Sequence, residues 1–295
     1  MADDSLGALL REARALLAVQ RDIVGPTRYL DPAPPAESAL LATAASGDAE
    51  PTAPEPSALE SVDESESTDT PVPDLFGALP DPSQDETLSP YERVESLIPD
   101  GHALHDLVSL DAVRDWLAAN ELVPIDRDRI NPVLGTGDPE ADLMVVGEAP
   151  GADEDRTGEP FVGRAGQLLN KILEAVLFQR EEVYITNILK SRPPNNRDPL
   201  PAEVEAHIPI LYKQIALVRP KMILAVGKSA GNGLLGRSSS LASLRGKFND
   251  FYGLPLMVTY HPAALLRNPQ WKRPTWEDVK LLRTRYDQIT EGNSQ

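Results

Sequence analysis

Four short apolar runs, most of them followed by a helix-like stretch, occupy the second half of the chain. The runs are DLMVVG (142–147), VYITNI (183–188), MILAV (222–226) and LPLMVT (254–259). Helical patterns cover 164–178, 201–218, 228–235 and 274–289. Strands that alternate with helices favour a parallel sheet, because each parallel connection has to cross over the sheet. The sequence therefore predicts an α/β domain over residues 104–290, in which a four-stranded parallel sheet is sandwiched between helices.

The first hundred residues differ in composition from this domain. An amphipathic pattern predicts a short helix within residues 1–30, whereas 31–95 are rich in proline, alanine, serine and acidic residues. A segment with so little apolar content cannot offset the entropy cost of ordering. We therefore expect 31–95 to be a disordered linker that forms most of an acidic N-terminal tail.

Charge is distributed unevenly along the chain. The formal net charge is −18, but 21 acidic and 5 basic residues lie in 1–100, whereas 8 acidic and 16 basic residues lie in 186–295. The last third is basic, so the overall charge does not exclude a nucleic-acid partner.

Cysteine and long apolar runs are both absent from the sequence. The absence of cysteine excludes disulfides and thiolate-bound metals. No apolar run reaches the ~18 residues of a membrane span, and the start MADDSLGALLREARALL does not suit a secretory signal. We expect a cytoplasmic protein, monomeric and without a membrane partner.

Three segments follow the predicted strands: GEAPGADEDRTGEPFVGRAG (147–166), TNILKSRPPNNRDP (186–199) and YHPAALLRNP (260–269). In open α/β sheets, ligands bind at the carboxyl ends of the strands. Each segment alone also has a simple structural interpretation as a turn, a core side chain or a solvated face. The glycine loop matches neither a G-x4-GK[ST] phosphate loop nor a G-x-G-x-x-G dinucleotide loop. Their joint occurrence after three strands favours a single functional site.

Together the three segments closely resemble the motif regions of the family 4 uracil-DNA glycosylases, and the resemblance covers residues 105–288. It implies an enzyme that flips uracil out of DNA and hydrolyses its N-glycosidic bond, leaving an abasic site. Flipping lets such an enzyme read a base by stacking and by its Watson–Crick edge.

The resemblance also implies roles for individual residues. Glu148, Glu154 and His261 are expected to be catalytic, with His261 hydrogen-bonding the departing uracil. Uracil is expected to contact Phe161, Asn187, Asn196, Gly147 and Gly151. DNA is expected to contact Arg192, Arg197, Leu265 and Arg267, with Leu265 as a wedge in the base stack.

The sequence departs from this family at several positions. Family members usually carry four cysteines that hold a [4Fe–4S] cluster, and the matching positions are Asn120, Val123, Ser191 and His207. We therefore expect no cofactor, no metal, and a loop 190–207 held by packing alone.

Two further departures affect the expected chemistry. Ala263 replaces a serine of the third motif. Ala149 stands where uracil glycosylases of another family have a water-activating aspartate, which leaves the general base unassigned.

Two other functions remain open at this stage. A catalytically degenerate relative would bind DNA or a protein partner without turnover, and a different hydrolase would act on free nucleotides. Release of uracil from DNA, compared with release from nucleosides, distinguishes the three.

The acidic tail contains one isolated apolar pair, Leu75 and Phe76, within PVPDLFGALP (71–80). The DLF core resembles the end of peptides that bind bacterial sliding clamps, although the usual upstream glutamine is missing. Either the pair docks on a clamp or it is a chance feature of a linker.

Overall fold

The structure is a computed structural model and describes residues 87–292. Within them the sheet has six strands: β1 (Thr136–Gly137), β2 (Leu143–Gly147), β3 (Tyr184–Asn187), β4 (Met222–Val226), β5 (Phe248–Phe251) and β6 (Leu254–Thr259). They lie in the order β1-β3-β2-β4-β6-β5. The central strands β3, β2, β4 and β6 are parallel, which confirms the predicted four-stranded parallel sheet.

Both edges of the sheet carry an antiparallel strand that was not predicted. The two-residue strand β1 pairs with β3, and β5 pairs with β6. Tyr252 and Gly253 join β5 to β6 with φ angles of 54° and 93°. Two successive left-handed residues are typical of a type I′ hairpin turn, whose twist matches that of the strands it connects.

Helices flank the sheet. In the described residues they are α1 (Pro90–Glu95), α2 (Leu110–Ala119), α3 (Ala152–Thr157), α4 (Arg164–Glu174), α5 (Pro201–Val218), α6 (Lys228–Leu235), α7 (Leu241–Leu244), α8 (Pro262–Arg267) and α9 (Lys272–Gly292). The four predicted helices correspond to α4, α5, α6 and α9.

The apolar core lies on both faces of the sheet. Met144 and Val146 of β2 pack in one buried cluster, which includes residues of α5. Leu143 and Val145 pack in the other, which includes residues of α4 and α9. Strands covered on both faces read as continuous apolar runs, which is why the sequence showed them clearly.

The folded region begins earlier than predicted. Helix α1 starts with a capping box, in which Ser89 accepts a hydrogen bond from the Glu92 amide and Glu92 accepts one from the Ser89 amide. Val94 is fully buried, and Tyr91 donates a hydrogen bond to the carbonyl of Pro220 at 3.3 Å. The predicted linker 31–95 is therefore wrong over its last six residues.

Other predictions about the tail fall outside residues 87–292. They concern the helix within 1–30, the linker up to residue 86, and the pair Leu75 and Phe76. In the described part, none of the helices has the length and apolar character needed to cross a membrane.

Candidate active site

A cleft of about 640 Å³ opens at the carboxyl ends of the parallel strands. All three predicted segments contribute to its wall. Of the predicted site residues, the wall contains Glu148, Gly151, Glu154, Phe161, Asn187, Asn196, Arg197, His261 and Arg267. Gly147, Arg192 and Leu265 do not line it.

A fourth segment of the wall was not predicted. Gly227, Lys228 and Ser229 follow β4 directly and line the cleft. Gly227 has a φ of +106°, and a Cβ there would lie 3.3 Å from the Cβ of His261. The position of these residues directly after a predicted parallel strand was the signal in the sequence that could have identified them.

Asn187 lies at the end of β3 with only 1% of its surface exposed. Within residues 87–292 nothing donates a hydrogen bond to its buried Oδ1. A Cβ on Gly147 would lie 2.2 Å from this oxygen and 2.5 Å from Cζ of Phe161. Gly147 is thus needed for the close approach of two side chains, and the amide oxygen is left for a ligand.

Phe161 has a left-handed backbone, with a φ of 54°, which is a strained conformation for a bulky residue. Two neighbours hold it in place. Arg180 donates to its carbonyl at 3.2 Å, and Gly166 lacks a Cβ that would lie 1.8 Å from the same oxygen. The ring centroid lies 5.7 Å from that of His261, so the two rings form one wall.

Glu154 closes the glycine loop on itself. One carboxylate oxygen accepts hydrogen bonds from the amides of Val162 and Gly163, both at 3.0 Å, and the other accepts one from Gly151 at 3.1 Å. The structure therefore gives Glu154 a position within the loop, and its expected part in catalysis stays a prediction.

His261 is the N-cap of α8, and its Nδ1 accepts a hydrogen bond from the Ala263 amide at 3.2 Å. Burial lowers the pKa of His261 to about 4, Arg267 adds to the fall, and Glu154 opposes it. The ring is therefore neutral at pH 7. Since Nδ1 accepts, the proton is on Nε2, which makes Nε2 a hydrogen-bond donor.

Glu148 is the first residue after β2. Burial raises the pKa of its carboxyl above the ordinary value, a hydrogen bond from Ser229 opposes the rise, and the charge of Asp198 adds to it. Ala149 and Ala263 also line the cleft. Neither alanine adds a polar side chain to the cleft.

The predicted DNA-contacting residues divide into different environments. Arg197 forms a bidentate pair with Glu203, at 2.5 and 2.9 Å, so much of its guanidinium is engaged within the protein. Arg192 donates to the side chain of Asn196 at 2.7 Å. Arg267 is exposed at the end of α8.

Leu265 was predicted as the wedge, and the structure contradicts this. Its side chain is 0% exposed and packs in the core cluster that includes α4, whereas Leu266 is 41% exposed. Adjacent residues on a helix point in different directions, and on α8 the second leucine of the pair faces outward.

The four positions that match cluster cysteines do not fit an iron–sulfur cluster. Ser191 donates to the carboxylate of Asp126 at 2.5 Å, and His207 contacts the same oxygen through Nε2 at 3.1 Å. The expectation that packing alone holds the loop 190–207 is wrong, since buried hydrogen bonds hold it as well.

The family model for the uracil DNA glycosylase superfamily matches residues 134–280. Type-4 uracil-DNA glycosylases align with the chain, and three examples give the range. The protein of Saccharolobus solfataricus is 39% identical over 59% of this chain and 85% of its own length. The protein of Pyrobaculum aerophilum is 41% identical over 59% of this chain and 93% of its own length. The protein of Thermotoga maritima is 41% identical over 53% of this chain and 84% of its own length.

Identity at this level, over most of each relative, agrees with the fold and with the position of the cleft. The chain belongs to the type-4 uracil-DNA glycosylases of the uracil DNA glycosylase superfamily.

Proposed function

We propose that the cleft receives a uracil flipped out of DNA and hydrolyses its N-glycosidic bond, with Asn187 reading the base and His261 assisting its departure. The observation that carries this proposal is the buried amide of Asn187, whose Oδ1 has no donor among the described residues. A buried acceptor left unpaired is costly, and the N3–H of uracil supplies the missing donor.

Base discrimination follows from the chemistry of that amide. Its Nδ2 can donate to uracil O4 while its Oδ1 accepts from N3–H. Cytosine presents a donor and an acceptor in the opposite order, so both contacts become mismatched. A site that requires such hydrogen bonds rejects the wrong partner by ~10⁴–10⁵-fold. Phe161 supplies an apolar face for stacking beside this edge.

Departure of the base builds negative charge on uracil as the C1′–N1 bond breaks. His261 is neutral, and its Nε2–H is the donor that can bond to uracil O2. A preorganised donor in a dry site stabilises such charge without reorganisation. The bonding electrons leave with uracil, and water supplies the new bond to C1′.

The sugar becomes cation-like in the transition state, as in other glycosidic hydrolysis. We assign Glu148, a carboxylate of the cleft wall, to the side of the cleft that receives the sugar. It faces the developing cation and holds the attacking water. Its raised pKa suits a group that takes up the proton that water releases.

DNA binding rests on the rim of the cleft. Lys228 and Arg267 line it and provide cations for phosphates, which position the duplex without reading sequence. Leu266 is the exposed apolar residue of α8, and we assign it, in place of Leu265, the role of filling the space left by the flipped base.

The test is release of labelled uracil from single- and double-stranded DNA, with free uridine and cytosine-containing DNA as comparison substrates. We expect the protein to release uracil from uracil-containing DNA and to release no base from free uridine or from cytosine-containing DNA. We expect Asn187→Ala to lower the rate by ~10²–10³-fold with a much smaller effect on stability, because its Oδ1 has no hydrogen bond to lose within the described residues.

A matched control is Asn249→Ala, since Asn249 lies on the edge strand β5 and outside the cleft wall. It should keep the wild-type rate. An Asn187→Ala protein as fast as wild type would contradict the assignment. Tight binding of uracil DNA without release would instead support a catalytically degenerate relative.

A further inference from the structure

We infer that Asp126 and His207 are positioning residues for Asn187: a buried network centred on Asp126 holds the segment 187–191 so that the Asn187 amide meets the base. The inference rests on the proposed role of Asn187. Neither residue lines the cleft, so neither is assigned contact with substrate.

The side chain of Asp126 is fully buried, and donors from three separate parts of the fold surround it. Its Oδ2 accepts from the amides of Leu122 at 2.7 Å and Val123 at 3.0 Å. Its Oδ1 accepts from Ser191 at 2.5 Å and from His207 at 3.1 Å. The carboxylate thus joins the turn 122–126, the segment after β3, and helix α5.

The pKa of Asp126 agrees with this geometry. Burial opposes the charge, but hydrogen bonds from His207, Ser191 and the Val123 amide outweigh burial and hold the pKa well below its usual range. The carboxylate is therefore charged, and it accepts from all of these donors at once.

His207 links this carboxylate to the strand end. Its Nδ1 accepts from the Lys190 amide at 3.1 Å, so the ring proton is on Nε2 and points to Asp126. Both nitrogens of a fully buried ring are used. The ring therefore fixes the Lys190 backbone relative to Asp126.

Lys190 carries the connection to Asn187. Its side chain is fully buried, and Nζ donates to the Asn187 carbonyl at 2.5 Å, to Thr186 Oγ1 at 2.8 Å and to Gln214 Oε1 at 2.5 Å. Burial lowers the pKa of the Lys190 amine well below its ordinary value, and the three acceptors hold the amine in place. The Asn187 carbonyl is thus hydrogen-bonded to the Lys190 side chain, and the Lys190 amide is hydrogen-bonded to His207.

Arg129 extends the network to the end of α2. It contacts Asp126 Oδ1 at 3.4 Å, donates to Ser191 Oγ at 3.3 Å, and donates to the carbonyl of Asn120 at 2.9 Å. The four positions where cluster cysteines are expected each contribute one group: the Asn120 carbonyl, the Val123 amide, and the side chains of Ser191 and His207. In this chain polar bonds join the segments that a cluster would otherwise join.

The test combines hydrogen exchange with kinetics in the full-length protein. His207→Phe keeps a ring and removes the link between Asp126 and the Lys190 amide. Ser191→Ala removes the hydrogen bonds of Ser191 to Asp126 and Arg129 but leaves that link in place. We expect amide exchange in 187–191 to accelerate by ~10-fold or more in His207→Phe and less in Ser191→Ala, because the opening of a segment tracks its local stability. We expect exchange in α9 to stay unchanged.

The kinetic expectation separates positioning from simple stability. At a temperature where the variant is folded, kcat on uracil DNA should fall ~10-fold or more, since misplacement by about 1 Å can cost ~10²-fold. Asn187→Ala should lower kcat by a smaller factor in the His207→Phe protein than in the wild type. Both substitutions act on the same contact, that of the Asn187 amide with the base.

Lys213→Met is the matched control. Lys213 is a buried lysine on the same helix α5 and pairs with Glu95, so its loss should lower the melting temperature yet leave kcat and exchange in 187–191 unchanged. The inference is overturned if amide exchange in 187–191 is unchanged both in Ser191→Ala and in a folded His207→Phe protein. If His207→Phe does not fold, unchanged exchange in Ser191→Ala alone overturns it. An active Asn187→Ala protein instead contradicts the proposed base reading, so the two failures are distinguishable.

Discussion

Replacing Gly147 by alanine is the substitution that tests the geometry of the cleft most directly. The added Cβ would lie 2.2 Å from Oδ1 of Asn187 and 2.5 Å from Cζ of Phe161. Carbon atoms in contact normally lie about 3.5–4.0 Å apart. Both side chains, one proposed to read the base and the other to stack on it, must therefore move by about 1 Å or more.

The expected cost is larger for activity than for stability. Overpacking of this kind destabilises by about 1–3 kcal/mol, and the strand β2 is anchored by parallel pairing on both sides. A displacement of about 1 Å in the reading group can lower the rate ~10²-fold. We expect Gly147→Ala to be folded and to release uracil from DNA at least ~10²-fold more slowly than wild type.

Gly163→Ala provides the matched control within the same loop. A Cβ on Gly163 would meet Oδ2 of Asp153 at 3.0 Å. The Asp153 side chain and its ion-pair partner Arg156 are both more than half exposed, so they can shift together. Gly163→Ala should therefore cost much less activity than Gly147→Ala. A Gly147→Ala enzyme with a near wild-type rate would refute the close approach of Asn187 and Phe161.

Three further outcomes are expected. His261→Ala should lower kcat by ~10²–10³-fold. Because the folded pKa of His261 is about 4 and the unfolded value is about 6.5, the wild type should lose stability relative to this variant as pH falls below about 6.5, as denaturant titrations would show. Leu266→Ala should slow uracil release from duplex DNA more than from single strands, whereas Leu265→Ala should destabilise by about 2–5 kcal/mol; equal behaviour of the two would contradict their burial. Removal of residues 1–86 should leave activity and melting temperature intact, whereas removal of 1–95 deletes helix α1 and should lower the melting temperature.

The sequence predicted the parallel strands and the helices that follow them, because residues buried on both faces form continuous apolar runs. It did not predict β5, since FNDF carries two polar residues and becomes a strand only through the turn that folds it onto β6. Helix α1 was missed for a related reason, since six residues beside a proline-rich tail give little periodicity.

The site shows the same division between local and long-range information. Residues directly after strands were placed in one cleft because the topology brings strand ends together. Leu265 and Leu266 were not distinguished, since the phase of a short helix depends on what it packs against. The contact between Asp126 and His207 spans 81 residues, and no local pattern indicates it.

The network around Asp126 has a consequence for how the enzyme matures in the cell. Its donors and acceptors are all atoms of the polypeptide, so these segments can join as the chain folds. The chain has no cysteine, and the joint offers no thiolate to peroxide. Oxidants that attack thiolates should therefore leave the hydrogen bonds around Asp126 in place.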